Sequence, residues 1–113
     1  MTSRAYRGSS TWGSPFITVD RGRVYEGSST WGEVILFIEG DKIYQGSSTW
    51  GTVMAIVEGN HVYKGASTWG SPIATIEGAS VYEGASTWGS PIATIEGGGR
   101  MTGAAAAVFL LLM

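Results

Sequence analysis

Cysteine is absent from the 113-residue chain, and histidine occurs once. Disulfides, thiolate catalysis and zinc–sulfur sites are therefore excluded, and a transition-metal centre would have a single imidazole available. The chain also has little net charge, −2 at neutral pH. Binding to nucleic acid relies on clustered lysine and arginine, so the sequence predicts no nucleic-acid partner.

Long hydrophobic runs are missing as well. The longest, Ala104 to Met113, has ten apolar residues, whereas a membrane-spanning helix needs about 20. Membrane spanning is therefore not expected, and residues 1–7 show no apolar stretch of a secretory signal. The compartment is left open. We expect residues 101–113 to form an apolar tail, as a short helix or a strand, that packs on protein within the chain or between chains.

What the sequence does contain is an internal repeat of 19 residues. The unit reads Y-x-G-[SA]-S-T-W-G, then two variable residues, four mostly apolar ones, an acid and a loop. Two series of aromatic residues mark the five units: Tyr6, Tyr25, Tyr44, Tyr63 and Tyr82, and Trp12, Trp31, Trp50, Trp69 and Trp88. In the last two complete units, residues 63–78 and 82–97, only Lys64 and Glu83 differ.

Each unit contains two runs of β-branched and aromatic residues, which are good strand formers. Pairs such as Gly40-Asp41 and Gly59-Asn60 suit two-residue hairpin turns. One strand run, Val34 to Ile38, is apolar on both faces, which predicts burial on both sides. We therefore expect an all-β domain over residues 1–100, with hairpins arranged as a closed barrel, prism or flower-like array. The alternative is a two-sided β-solenoid with one unit per rung.

The third and fourth units resemble bacterial hairpin-repeat proteins, in particular the four-fold β-flower family. The similarity rests on residues 44–60 and on residues 63–78, which contain Ile73-Ala74-Thr75-Ile76. The chain departs from that pattern in its five units, its repeated Ser-Thr-Trp-Gly corner and its apolar tail. The resemblance implies an architecture and no functional residues.

Catalytic motifs are not recognisable in the chain, so we expect no enzyme, cofactor or metal site. The single His61 has no partner histidine or cysteine. The serine of each Ser-Thr-Trp-Gly corner lacks a companion His or Asp at a fixed offset, and no nucleophile elbow or phosphate loop occurs. One acid recurs per unit, but no unit concentrates several acids as calcium loops do. We interpret these acids as charges at strand ends.

The aromatic residues allow two interpretations. In the first, each tryptophan and tyrosine packs against its neighbours and the five tryptophans are mostly buried. In the second, the tryptophans are flat platforms for sugar rings, repeated as in multivalent lectins. We expect the first.

Self-association is the function that the sequence favours, with carbohydrate binding at the Ser-Thr-Trp-Gly corners as the alternative. A third alternative places the tail at a bilayer surface. Residues 1–25 have a charge balance of +3 and the remainder −5, so a linear array would have unlike ends that could join into a homo-oligomer or filament. The residues expected to mediate the contact are Val108, Phe109, Leu110, Leu111, Leu112 and Met113.

Overall fold

A computed structural model describes residues 2–113, which form ten β-strands and one α-helix. The strands are β1 (Thr2–Arg7), β2 (Ile17–Asp20), β3 (Arg23–Glu26), β4 (Val34–Glu39), β5 (Lys42–Gln45), β6 (Val53–Glu58), β7 (His61–Lys64), β8 (Ala74–Glu77), β9 (Ser80–Glu83) and β10 (Ala93–Glu96), followed by the helix α1 (Arg100–Leu112). The all-β repeat fold is confirmed, and of the two forms open to the apolar tail the structure shows the helix.

Strands that follow one another in sequence pair antiparallel, and β1 pairs with β10, so the sheet closes into a barrel. This confirms the hairpin array and shows that the β-solenoid alternative is wrong, because a solenoid would stack like strands of successive units. The turn Arg21-Gly22 has positive φ at both residues, 54° and 80°, which is the primed geometry that matches the twist of a hairpin. The Cα extents of 34 × 34 × 21 Å describe a disc.

Closure joins the first and last units of the same chain. Arg4 lies opposite Glu96 in the β1–β10 ladder, and the Tyr6 hydroxyl donates a 2.8 Å hydrogen bond to Glu96 Oε1. That hydrogen bond, with burial, raises the pKa of Tyr6 above its ordinary value. The expectation of an array with two unlike free ends is wrong, because the unit at each end is paired with the other.

The length of the first strand after each corner depends on the residue type at one repeat position. Where that position is valine, at Val34 and Val53, the strand has six residues and its partner ladder contains a register shift. Where it is Pro15, Pro72 or Pro91, the strand starts two residues later and has four residues. Proline has no N–H to donate to the ladder, so pairing begins after it.

The barrel interior is filled by side chains of alternate strand positions and by α1. At one repeat position the first two units carry the large residues Ile17 and Leu36, whereas the last three carry alanine, and all five are fully buried. The helix packs against β1, β4, β6, β8, β9 and β10. In the last three units, alanine lets the helix backbone approach the barrel wall closely. In the first two units, the larger side chains fill the wider space between the helix and the wall.

Two polar contacts fix the start of the helix. The Arg100 guanidinium donates to the Gly59 carbonyl at 2.6 Å, and the Ser3 and Thr102 hydroxyls are hydrogen-bonded at 2.6 Å. Both contacts lie at the end of the barrel that carries the two-residue turns, which we call the turn end. Ala104 to Val108 are fully buried, and the helix ends at the opposite end, which carries the longer connections and which we call the corner end.

Candidate binding face

All five Ser-Thr-Trp-Gly corners lie at the corner end. Connections alternate between the two ends of an antiparallel meander, so the two-residue turns occupy one end and the longer connections the other. The longer connections are residues 8–16, 27–33, 46–52, 65–73 and 84–92. One tryptophan therefore projects from each unit at the same end of the barrel.

The five tryptophans are 87–94% exposed. The expectation that they are mostly buried is wrong, because all five are almost fully exposed. The physical reason is that α1 and the inward strand residues already fill the interior, and the corner leaves the sheet before it reaches the tryptophan. An indole on such a corner has no wall to pack against.

The corners are nearly free of charge. Across the five connections, Glu33 is the one residue with an ionisable side chain. The rest are glycine, serine, threonine, alanine, proline, tryptophan and a single large apolar residue at the end of some corners. In two corners the backbone N–H of the tryptophan donates to the side-chain hydroxyl of the serine two residues earlier, from Trp31 to Ser29 at 3.4 Å and from Trp50 to Ser48 at 3.3 Å. This local turn orders the tip of the corner.

The third corner has a different backbone. Four of the corners have a glycine with positive φ after the tryptophan, but Gly51 does not. A Cβ at Gly51 would lie 1.9 Å from the Gln45 carbonyl oxygen, so only glycine allows this close approach. The third corner is thus folded back towards the end of β5, and the symmetry of the five units is broken there.

The tyrosines occupy a different environment from the tryptophans. They lie on the outer wall of the barrel, opposite residues of the neighbouring strand, as Tyr63 does opposite Ile56 and Tyr82 opposite Thr75. Tyr6 is buried and the other four are half-buried. Of the two aromatic series that the sequence grouped together, the tyrosines are packing residues and the tryptophans are free.

The helix end closes the barrel at the corner end. Phe109 stacks on Phe16 with ring centroids 5.5 Å apart, and the Arg7 guanidinium lies 5.1 Å from the Phe16 centroid. Leu110, Leu111 and Leu112 are half-buried, and Met113 is 54% exposed. Val108 is fully buried in its own chain, so its predicted role in self-association is wrong. The other predicted contact residues remain partly accessible.

A cavity of about 330 Å³ lies between the helix end and the third and fourth units. Its lining residues are Thr52, Val53, Met54, Lys64, Gly65, Leu111 and Leu112. Sequence reasoning missed this site, although it contained one signal. Lys64 is the residue at which two otherwise identical units differ, and its counterparts in the other units are Arg7, Glu26, Gln45 and Glu83.

The titratable groups are dispersed. His61 begins β7 at the turn end, where its ring lies 6.4 Å from that of Tyr63. Within residues 2–113, no three His, Cys, Asp or Glu side chains come together in a metal-binding arrangement. Over the same residues, no helix combines the length and apolar character needed to cross a bilayer. The features that could recognise a ligand are therefore the tryptophan corners and the cavity.

No curated protein and no solved structure matches the chain significantly. A family model does match, described as "6-fold beta flower protein", over residues 3–109. The match extends from β1 through all ten strands and into α1, so it includes the closure and most of the helix. The resemblance to β-flower proteins is confirmed, but the matching family is the 6-fold one and not the four-fold one expected from the sequence. This chain itself closes its barrel with five hairpins. The chain belongs to the 6-fold β-flower protein family.

Proposed function

We propose that this β-flower protein is a non-enzymatic, multivalent carbohydrate-binding protein whose five corner tryptophans contact the sugar. One observation carries the proposal: five tryptophans, each 87–94% exposed, project from nearly uncharged corners at one end of the barrel. An exposed indole costs solvation free energy that packing would have recovered, so five on one face mark an interaction surface.

The chemistry of a corner suits a sugar ring. The flat indole presents an apolar face to the C–H face of a pyranose, and its ring N–H is a hydrogen-bond donor. The serine and threonine before each tryptophan provide hydroxyls that both donate and accept, as sugar hydroxyls require. The shortage of charge at the corners favours a neutral saccharide over an anionic one.

A single corner offers little enclosure, so each site is weak. Five sites on one disc gain from multivalency, because a saccharide already bound at one corner meets the next corner at a high effective concentration. We therefore expect tight binding to repetitive oligosaccharides or polysaccharides and weak binding to monosaccharides.

The test is isothermal titration against cellohexaose, xylohexaose, mannohexaose and chitohexaose, with the matching monosaccharides as controls. Replacement of all five corner tryptophans by alanine should abolish binding to whichever hexasaccharide binds. The matched control replaces all five by phenylalanine, which keeps an aromatic platform and should retain part of the affinity. Undiminished binding by the alanine variant would refute the role of the tryptophans.

Self-association through the same face is the second candidate. It is supported by the half-buried Leu110, Leu111 and Leu112 and the exposed Met113, which lie at the centre of the corner end. Two discs meeting corner end to corner end would cover these residues and the tryptophans in a two-fold interface. The native particle mass with and without hexasaccharide separates the two functions. A dimer that persists at saturating sugar favours self-association, and a monomer that binds sugar favours the lectin-like function.

A further inference from the structure

The cavity beside the helix end lies where the third and fourth units meet. Its wall position is Met54, where the other units have Phe16, Ile35, Ile73 and Ile92. On the side of the first unit the equivalent space is filled, because Phe16 stacks on Phe109. On the side of the third unit an unbranched thioether replaces the aromatic ring, and a volume of about 330 Å³ stays open.

The cavity has an apolar floor and one cationic edge. Met54, Leu111, Leu112 and Val53 supply the hydrocarbon surface, and Thr52 supplies one hydroxyl. Lys64 is the charged residue of the lining, at the last position of β7. Among the five repeat-equivalent positions it is the one lysine, and in the near-identical fifth unit the position is the oppositely charged Glu83.

We propose that this cavity binds an aliphatic monocarboxylate of medium chain length. The alkyl chain lies against Met54, Leu111 and Leu112, and the carboxylate accepts hydrogen bonds from the Lys64 ammonium. The volume is at the lower end of the range for small-molecule sites, about 300–1,000 Å³, which suits an aliphatic chain of medium length better than a fused-ring ligand. The head group must lie on the Lys64 side, because the helix C-terminus carries partial negative charge.

No tryptophan lines the cavity, although Thr52 and Gly65 belong to two of the corners, so the cavity and the indole platforms can be tested separately. Octanoate is the first probe, with 1-octanol and octylammonium as ligands of the same chain length and different head groups. Titration of the full chain should give one octanoate per protein. Octanol, which keeps the chain and loses the charge, should bind about tenfold more weakly, a difference of about 1.4 kcal/mol.

Two substitutions test the head group. Lys64→Gln should weaken octanoate about tenfold and leave octanol unchanged. Lys64→Glu should reverse the preference, so that octylammonium binds better than octanoate. The matched control is Lys42→Gln, which removes a lysine at the turn end and should leave octanoate binding unchanged. Thermal unfolding of each variant shows whether it is folded, and the comparison of octanoate with octanol needs no variant at all.

The location is tested by methyl NMR on methionine-labelled protein. Octanoate should shift the Met54 methyl resonance and leave that of Met101, at the far end of α1, in place. Equal affinity for octanoate and octanol, or unchanged affinity of Lys64→Gln for octanoate, would overturn the proposal that the ligand carries a carboxylate. Binding without a Met54 shift would overturn the site. Loss of sugar binding with octanoate binding intact would refute the proposed function alone.

Discussion

The C-terminal helix and the tryptophan corners are both apolar, yet Ala104 to Val108 are fully buried and the five tryptophans are 87–94% exposed. The difference is not one of hydrophobicity, since indole is among the largest apolar groups in the chain. It follows from which residues reach the barrel interior first. The helix and the inward strand residues fill that space, so the corners cannot use it.

Of the changes that test this comparison, removal of the helix segment should lower the stability of the fold most. A chain lacking Ala104 to Met113 loses the fully buried Ala104 to Val108 and the half-buried residues 109–112 from the core. Full burial of a large apolar side chain contributes about 1.5–3 kcal/mol, and half-burial contributes less. The loss approaches the whole stability of a small domain, about 5–15 kcal/mol. We expect no cooperative transition in thermal unfolding followed by circular dichroism.

The control for that truncation lacks Met113 alone, which is 54% exposed, and should unfold near the temperature of the full chain. A chain without the ten residues that melted cooperatively at an unchanged temperature would show that the barrel does not need its interior helix.

Enlarging an interior residue should have the next largest effect. Ala106 is a fully buried residue of α1 inside the barrel, so Ala106→Leu adds volume to a filled interior and should cost about 1–3 kcal/mol. The matched control is Ala66→Leu, the same change on an exposed corner, with an expected cost within about 0.5 kcal/mol. Denaturant midpoints measure both. Equal midpoint shifts in the two variants would contradict the buried and exposed assignments.

The hydrogen bond between Ser3 and Thr102 should contribute less to the free energy of unfolding than the packing around Ala106. Thr102→Val keeps the shape but leaves the buried Ser3 hydroxyl without its 2.6 Å partner, at a cost of about 1–2 kcal/mol. Replacing both residues, with Ser3→Ala added, should recover part of that loss, because no unpaired hydroxyl remains. Additive losses in this double-mutant cycle would mean that the two hydroxyls do not interact.

The smallest expected effect on stability is at the corners. Trp69→Ala should change the free energy of unfolding by no more than about 0.5 kcal/mol, because the side chain packs against nothing. Acrylamide should quench the fluorescence of all five tryptophans of the intact chain about as efficiently as it quenches free indole. Strongly protected emission would show that the corners are covered in solution, and protection that vanishes on dilution would identify self-association as the cover.

The sequence alone predicted the parts of this protein that depend on local chemistry. The 19-residue period placed the units, the Gly-X pairs predicted hairpin turns, and the alternation of apolar residues predicted strands buried against a core. The absence of cysteine and the isolation of His61 limited the chemistry of any site. The hairpin and strand predictions held because turn preference and strand preference act between residues close in the chain.

Three features were decided by the tertiary structure. Closure of β1 on β10 joins residues some 90 positions apart, such as Tyr6 and Glu96, and no repeat pattern distinguishes that from a linear array. The helix occupies the barrel because alanine at residues 55, 74 and 93 leaves room for it. The tryptophans are exposed because a barrel has one interior, and hydrophobicity alone does not say which apolar residues will fill it.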